Sequence, residues 1–135
     1  MDVDYSTEAV SASEFRDVLA ASGLGERRPV DDLARLQAML DGANLTVAAR
    51  ERKSGRLVGI ARSLTDFAHA CYLADLAVDS ACQGMGIGQK LIEKTRELAG
   101  LQSMCLLLSA PGAVSFYEHI GMPRNDNAFL YPRQI

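Results

Sequence analysis

The stretch Val78-Asp79-Ser80-Ala81-Cys82-Gln83-Gly84-Met85-Gly86-Ile87-Gly88-Gln89-Lys90 decides how this chain is read. An apolar strand, Cys71 to Val78, runs into a loop with three glycines in five residues, and a helix follows at once. Ile87, Leu91, Thr95 and Leu98 lie on one face of that helix, and Gly100 ends it. Glycine inside a helix costs about 1 kcal/mol relative to alanine, so three at one terminus need a reason. Lacking Cβ atoms, they let the backbone approach a ligand. The free N–H groups of the helix N-terminus then favour an anion, with phosphate or pyrophosphate the natural guest. A tight strand-to-helix turn with close packing would use the same glycines, and the loop alone leaves both readings open. Two phosphate motifs fail: Gln89 and Leu91 break the Walker pattern, and Gln89 stands where the dinucleotide fingerprint needs its third glycine. What remains is Gln-x-x-Gly-x-Gly from Gln83.

Upstream, Val3 to Tyr5 reads as a short opening strand, and Ser11 caps a helix carrying Phe15, Val18 and Leu19. Gly23 and Gly25 stop it. After the charged turn Glu26-Arg27-Arg28-Pro29, Asp31 opens a second helix with Leu33, Leu36 and Leu40, ended by Gly42. Leu45–Ala49 and Leu57–Ala61, around a polar turn ending in Gly55, read as a hairpin. Downstream, Met104–Leu108 is apolar throughout and suits a strand covered on both faces. Pro111 starts a last helix with Ala113, Phe116, Tyr117 and Ile120 inward, and Phe129–Tyr131 offers a final strand. The order is β-α-α-β-β-β-α-β-α-β, an α/β (or α+β) domain in which helices pack on a mixed sheet.

The length of 135 residues suits one domain, expected to span 1–135, and folding at that size buries roughly 68% of the unfolded chain's surface. Apolar residues at 48% and charged residues at 23% are ordinary globular composition. A net charge of −3 advertises neither nucleic acid nor an anionic membrane, and no apolar run reaches the ~20 residues that span a bilayer. The acidic start Met1-Asp2-Val3-Asp4 lacks the form of a signal peptide. Cys71, Cys82 and Cys105 cannot all pair within the chain and form no CxxC. A reduced, metal-free protein of the cytoplasm is expected.

A second informative segment is Ala113-Val-Ser-Phe116-Tyr117-Glu118-His119-Ile120-Gly121-Met122. A tyrosine at the C-terminal edge of a buried strand is either a core or rim aromatic or a hydroxyl facing a cleft. Such a hydroxyl, pKa ~10, can donate a proton to a thiolate of similar basicity.

Together these features resemble the GNAT superfamily of acetyl-CoA-dependent N-acetyltransferases. The resemblance rests on Asp75-Leu-Ala-Val78, on Gln83-Gly-Met-Gly86-Ile-Gly88 in the family's Arg/Gln-x-x-Gly-x-Gly/Ala slot, and on Phe116-Tyr117 followed by Ile120-Gly121-Met122. It implies a mixed, mostly antiparallel central sheet with helices on both faces. It also implies a strand Leu73–Val78 that splays from its neighbour at a bulge to admit the pantetheine arm. Backbone groups of Leu76, Ala77 and Val78 would bind that arm, the Leu76 N–H polarising the thioester carbonyl. The backbone of Gln83, Gly84, Met85, Gly86, Ile87, Gly88 and Gln89 would hold the pyrophosphate of acetyl-CoA. Tyr117 would act as general acid toward the CoA thiolate, and an amine acceptor would attack directly.

Two departures stand out. Ala74 replaces a carboxylate that many relatives use as base, leaving the neighbouring Asp75 as a candidate base or as a structural hydrogen-bonding group. Ala110 replaces a common cofactor-binding Asn. Arg27 and Arg28 fall where similar enzymes line the acceptor site, and would contact an acidic acceptor or form a solvated turn. The leading expectation is acetyl transfer to a primary amine of a small molecule. The alternatives are acetylation of a protein N-terminus or lysine, and a catalytically silent acyl-CoA-binding module. A homodimer through exposed apolar edges, as is common among similar proteins, is a further expectation.

Overall fold

The computed structural model describes residues 1–134. Five strands, β1 (Val3–Thr7), β2 (Leu45–Glu51), β3 (Leu57–Thr65), β4 (Ala70–Val78) and β5 (Met104–Leu106), form one sheet in that order. All pairings are antiparallel except β4 with β5, which is parallel. Helices α1 (Ala12–Ser22) and α2 (Leu33–Gly42) follow β1, α3 (Ile87–Ala99) joins β4 to β5, and α4 (Val114–His119) follows β5.

Helix ends follow the capping residues. The Ser11 side chain accepts from the Glu14 N–H, and Gly23, at φ 87°, closes α1. Asp32, one residue later than expected, caps α2 by accepting from the Arg35 N–H. Along β2 the inward residues alternate between two cores: Val47 and Ala49 face the α3 side, while Ala48 faces α1 and α2. Phe15, Leu19, Leu36 and Ile60 fill the α1/α2 layer, and Val58, Leu73, Ile87 and Leu91 fill the other, so helices cover both faces of the sheet.

Two expectations are corrected. β5 ends at Leu106, two residues short of the apolar run. Phe129–Tyr131 forms no strand, and Phe129 and Tyr131 are fully exposed. The triplet lies between Asn125-Asp126-Asn127 and Pro132, which cannot donate to a ladder, and its natural neighbour β5 has only three residues.

Candidate active site

The site begins with a miscount in the sheet. In the β3–β4 ladder Arg62 stands opposite Asp75 and Ser63 opposite Leu73, so Ala74 is an extra residue. This bulge resets the facing of β4. Cys71 and Leu73 enter the α3-side core, and after Ala74 it is Leu76 and Val78 that do so, while Ala77 enters the α1/α2 core. Asp75 turns with Ala77.

Asp75 is 1% exposed, and its two oxygens are held by two arginines. Arg28 Nε donates to Oδ1 and Arg62 Nε to Oδ2, each at 2.5 Å. Arg28 also donates from Nη2 to the Ala74 carbonyl (3.2 Å) and from Nη1 to its neighbour's, Arg27 (2.9 Å). Arg62 donates from Nη1 to the Met39 carbonyl at the end of α2 (3.0 Å). Of the two candidate arginines in the α1–α2 turn, Arg27 is exposed and Arg28 is anchored.

The strands then part. β5 pairs with β4 only from Ala70↔Met104 to Tyr72↔Leu106, which leaves Leu73–Val78 without a neighbour on that side. The Asp79 N–H donates to the Val58 carbonyl (2.9 Å). Polar groups alternate along an antiparallel strand, so Ala77 and Asp75 also face β3, while Leu76 and Val78 aim N–H and C=O at the open side. Gln83 Nε2 donates to the Val78 carbonyl at 3.2 Å, as that orientation requires. A cleft runs through this gap, walled by Leu24 and Arg28 from the α1/α2 layer, Ala74 and Leu76 of β4, Leu108, and Tyr117 of α4. A larger concavity of about 590 Å³, beside Thr7, Gln37, Thr46 and Leu98, shares no residue with it.

The glycine loop lies at the C-terminal end of β4. Asp79 braces it: one carboxylate oxygen accepts from the Ala81 N–H (2.9 Å) and the other from Arg56 Nη1 (2.7 Å). The Arg56 guanidinium, with the Ala81 N–H, holds the Asp79 carboxyl below its ordinary pKa. Gly84 and Gly86 have φ of 82° and 80°, a region that favours glycine, and a Cβ on either would meet nothing within 4 Å. Gly86 caps α3 without a side chain, so the N–H groups of Ile87, Gly88 and Gln89 are left without intrahelical acceptors. Ile87 itself is 3% exposed, and its side chain belongs to the core. Gly88 answers a different need: a Cβ there would stand 2.9 Å from Phe116 Cζ. The glycines therefore divide: Gly84 and Gly86 face open space, and Gly88 lets α3 touch α4.

That contact places Tyr117. Its ring lies 5.0 Å from that of Phe116 at 76°, edge to face, and burial raises its pKa above 10. The structure brings Tyr117, Leu76 and Arg28 to one cleft, with Gln83–Gln89 beyond the end of its strand, while Asp75 lies buried behind Arg28 and does not line it. His119 is exposed, and Cys82 is buried 4.0 Å from Met1 Sδ. Sequence reasoning passed over Arg62 and Arg56. Arg62 left a trace, since a charged residue in a nearly unbroken buried strand demands a buried partner.

Residues 41–121 match the family model for the acetyltransferase (GNAT) domain. The chain belongs to the GNAT acetyltransferase family, whose members use acetyl-CoA as acyl donor. It is 26% identical over 118 residues to GCN5-related N-acetyltransferase 1, chloroplastic, of Arabidopsis thaliana, covering 86% of this chain and 58% of that protein. Against two soybean (Glycine max) relatives it covers 48% and 51%, so the chain spans about half the length of the curated relatives it matches. Among solved structures, the GNAT family acetyltransferase SP0256 of Streptococcus pneumoniae superimposes with a TM-score of 0.75 at 17% identity, covering 99% of this chain and 100% of that one. A Trypanosoma brucei acetyltransferase does so at 0.69 and 23%, covering 98% and 100%. At those identities the likeness is one of fold. Among the described residues, no helix is long and apolar enough to cross a membrane.

Proposed function

We propose that residues 1–135 act as a single N-acetyltransferase domain, moving the acetyl group of acetyl-CoA directly to a primary amine of a small molecule. The observation that carries this reading is Tyr117 in a gap between parting strands, beside a helix N-terminus that two glycines leave open. The space over Gly84 and Gly86, with the uncapped N–H groups of Ile87, Gly88 and Gln89, fits a pyrophosphate; the extended arm of the donor fits the unpaired edge of β4.

The neutral amine attacks the thioester carbonyl, forming the N–C bond. The Leu76 N–H meets the charge that develops on oxygen. As the C–S bond breaks, the Tyr117 hydroxyl protonates the leaving thiolate, and the proton released by the amine returns to the tyrosinate through solvent. A tyrosine hydroxyl is protonated at neutral pH, as an acid requires, and burial moves the Tyr117 pKa further up. Asp75 serves as a structural anchor in this scheme, because both its oxygens are taken by arginines and almost none of it meets solvent. The cleft's small volume, about 50 Å³, favours a small acceptor over a peptide. The exposed edge of β5 and the bare Phe129–Tyr131 segment favour a homodimer, and three free cysteines suit a reducing compartment such as the cytoplasm.

Calorimetric titration with acetyl-CoA, with ATP as comparison, tests the donor site. Saturation at 100 times Kd should add about 2.7 kcal/mol of stability. Thiol release with a panel of amines then tests transfer. No binding at millimolar acetyl-CoA would reduce the glycine loop to a turn. Binding without transfer to any amine would favour the silent module.

A further inference from the structure

We infer that Arg28 determines acceptor specificity by selecting an amine that also carries a carboxylate, as an α-amino acid does. This rests on the acetyl-transfer reading and goes beyond it in naming the acceptor's class.

The argument is one of charge and access. Asp75 carries one negative charge, and Arg28 and Arg62 carry two positive ones, so the triad holds a surplus of +1 beneath the cleft. Arg62 spends its second group on the Met39 carbonyl and is only 10% exposed at the side chain. Arg28 is 19% exposed and is the one charged residue among the described residues that wall the cleft. The surplus therefore faces a ligand through Arg28, although the whole chain carries −3.

Arg28 is also held at three points. Three of its five N–H groups are spent, on Asp75, the Ala74 carbonyl and the Arg27 carbonyl, which leaves one on each terminal nitrogen. A carboxylate can accept both. The guanidinium stands on the α1/α2 side of the gap and Tyr117 on the α4 side. An acceptor entering from the Arg28 side and anchored by its carboxylate would thus present its amine toward the strand gap, where the acyl group would lie. A cationic acceptor would meet like charge there instead.

The test compares matched acceptors, L-amino acids against their carboxamides, by thiol release from acetyl-CoA. The wild type is expected to favour the acids by about tenfold or more in kcat/KM, chiefly through KM, since a site built to bind a group rejects the analogue lacking it. Arg28→Gln should bring the ratio to about one, and Arg28→Lys, which keeps the charge, should retain part of it. Arg28→Gln leaves Asp75 paired with Arg62; if it fails to fold, the rise in KM for acids in Arg28→Lys carries the test. A second arm needs no turnover: calorimetric binding of N-acetyl amino acids against N-acetyl amino acid amides, with CoA present. Arg28-dependent binding of the acids without any transfer would sustain the inference and sink the acetyl-transfer reading. Equal use and binding of acids and amides, binding of neither, or a preference untouched by both substitutions would overturn the inference.

Discussion

Replacing Asp75 with asparagine exchanges one carboxylate oxygen for an amide nitrogen at nearly constant volume and removes the charge that holds Arg28 and Arg62 together. Breaking a buried pair by removing one partner costs about 3–5 kcal/mol, because the remaining charge stays desolvated. Arg28 can relax toward solvent, while Arg62 is shut in at 10% exposure, so the expected loss is at the lower end, about 3 kcal/mol. At this chain length that corresponds to a melting temperature lower by roughly 10 °C. Urea denaturation measures the same loss as a fall in midpoint at constant slope. Arg28→Gln should cost less, about 1 kcal/mol, because the carboxylate keeps Arg62. The reasoning fails if Asp75→Asn loses under about 1 kcal/mol. A normal melt joined to loss of the acidic limb of the pH–rate profile would instead make Asp75 the base.

Tyr117→Phe should lower kcat by about 100-fold or more while acetyl-CoA affinity, read by calorimetry, stays unchanged, since only the proton is removed. Because burial raises the Tyr117 pKa, the basic limb of kcat should fall above pH 10. Gly88→Ala drives a methyl to 2.9 Å from Phe116. Overpacking of about 1–3 kcal/mol, less the helix gain of alanine, should appear in the melt, with a larger proportional loss in turnover as Tyr117 moves with Phe116. Cys105 is pushed up from 9.0 to about 11, first by burial and then by Cys71. The fold thus favours its neutral thiol. That stability is fully present below pH 9 and lost as pH rises toward 11, a loss that Cys105→Ser should abolish in urea melts.

Much of the fold was legible because its signals are local. Ser11 and Gly23 bracket α1 through their own caps, and the alternation of β2 follows from five consecutive side chains. The glycine loop was legible too, though what Gly88 does required knowing what lies across from it. Nothing local marks the partnership of Arg28 with Asp75, 47 positions apart, and the unpaired edge of β4 depends on where β5 ends. Phe129–Tyr131 shows the opposite failure: strand-forming residues whose candidate neighbour is an edge strand of three residues stay out of the sheet.

The bulge at Ala74 has a consequence for how the chain tolerates edits. Exchange of the methyl for another small group leaves the ladder as it is. Omission of the residue would set Leu73, which faces the α3 side, directly before Asp75, which faces the α1/α2 side, so strict alternation returns with every partner on β3 unchanged. Both layers would keep their side chains, and what would go is the bulge itself, the wall that Ala74 gives the cleft and the carbonyl that Arg28 donates to. Position 74 is thus a residue the sheet can do without and the site cannot, and a three-nucleotide deletion there should spare the melt while disturbing the cleft.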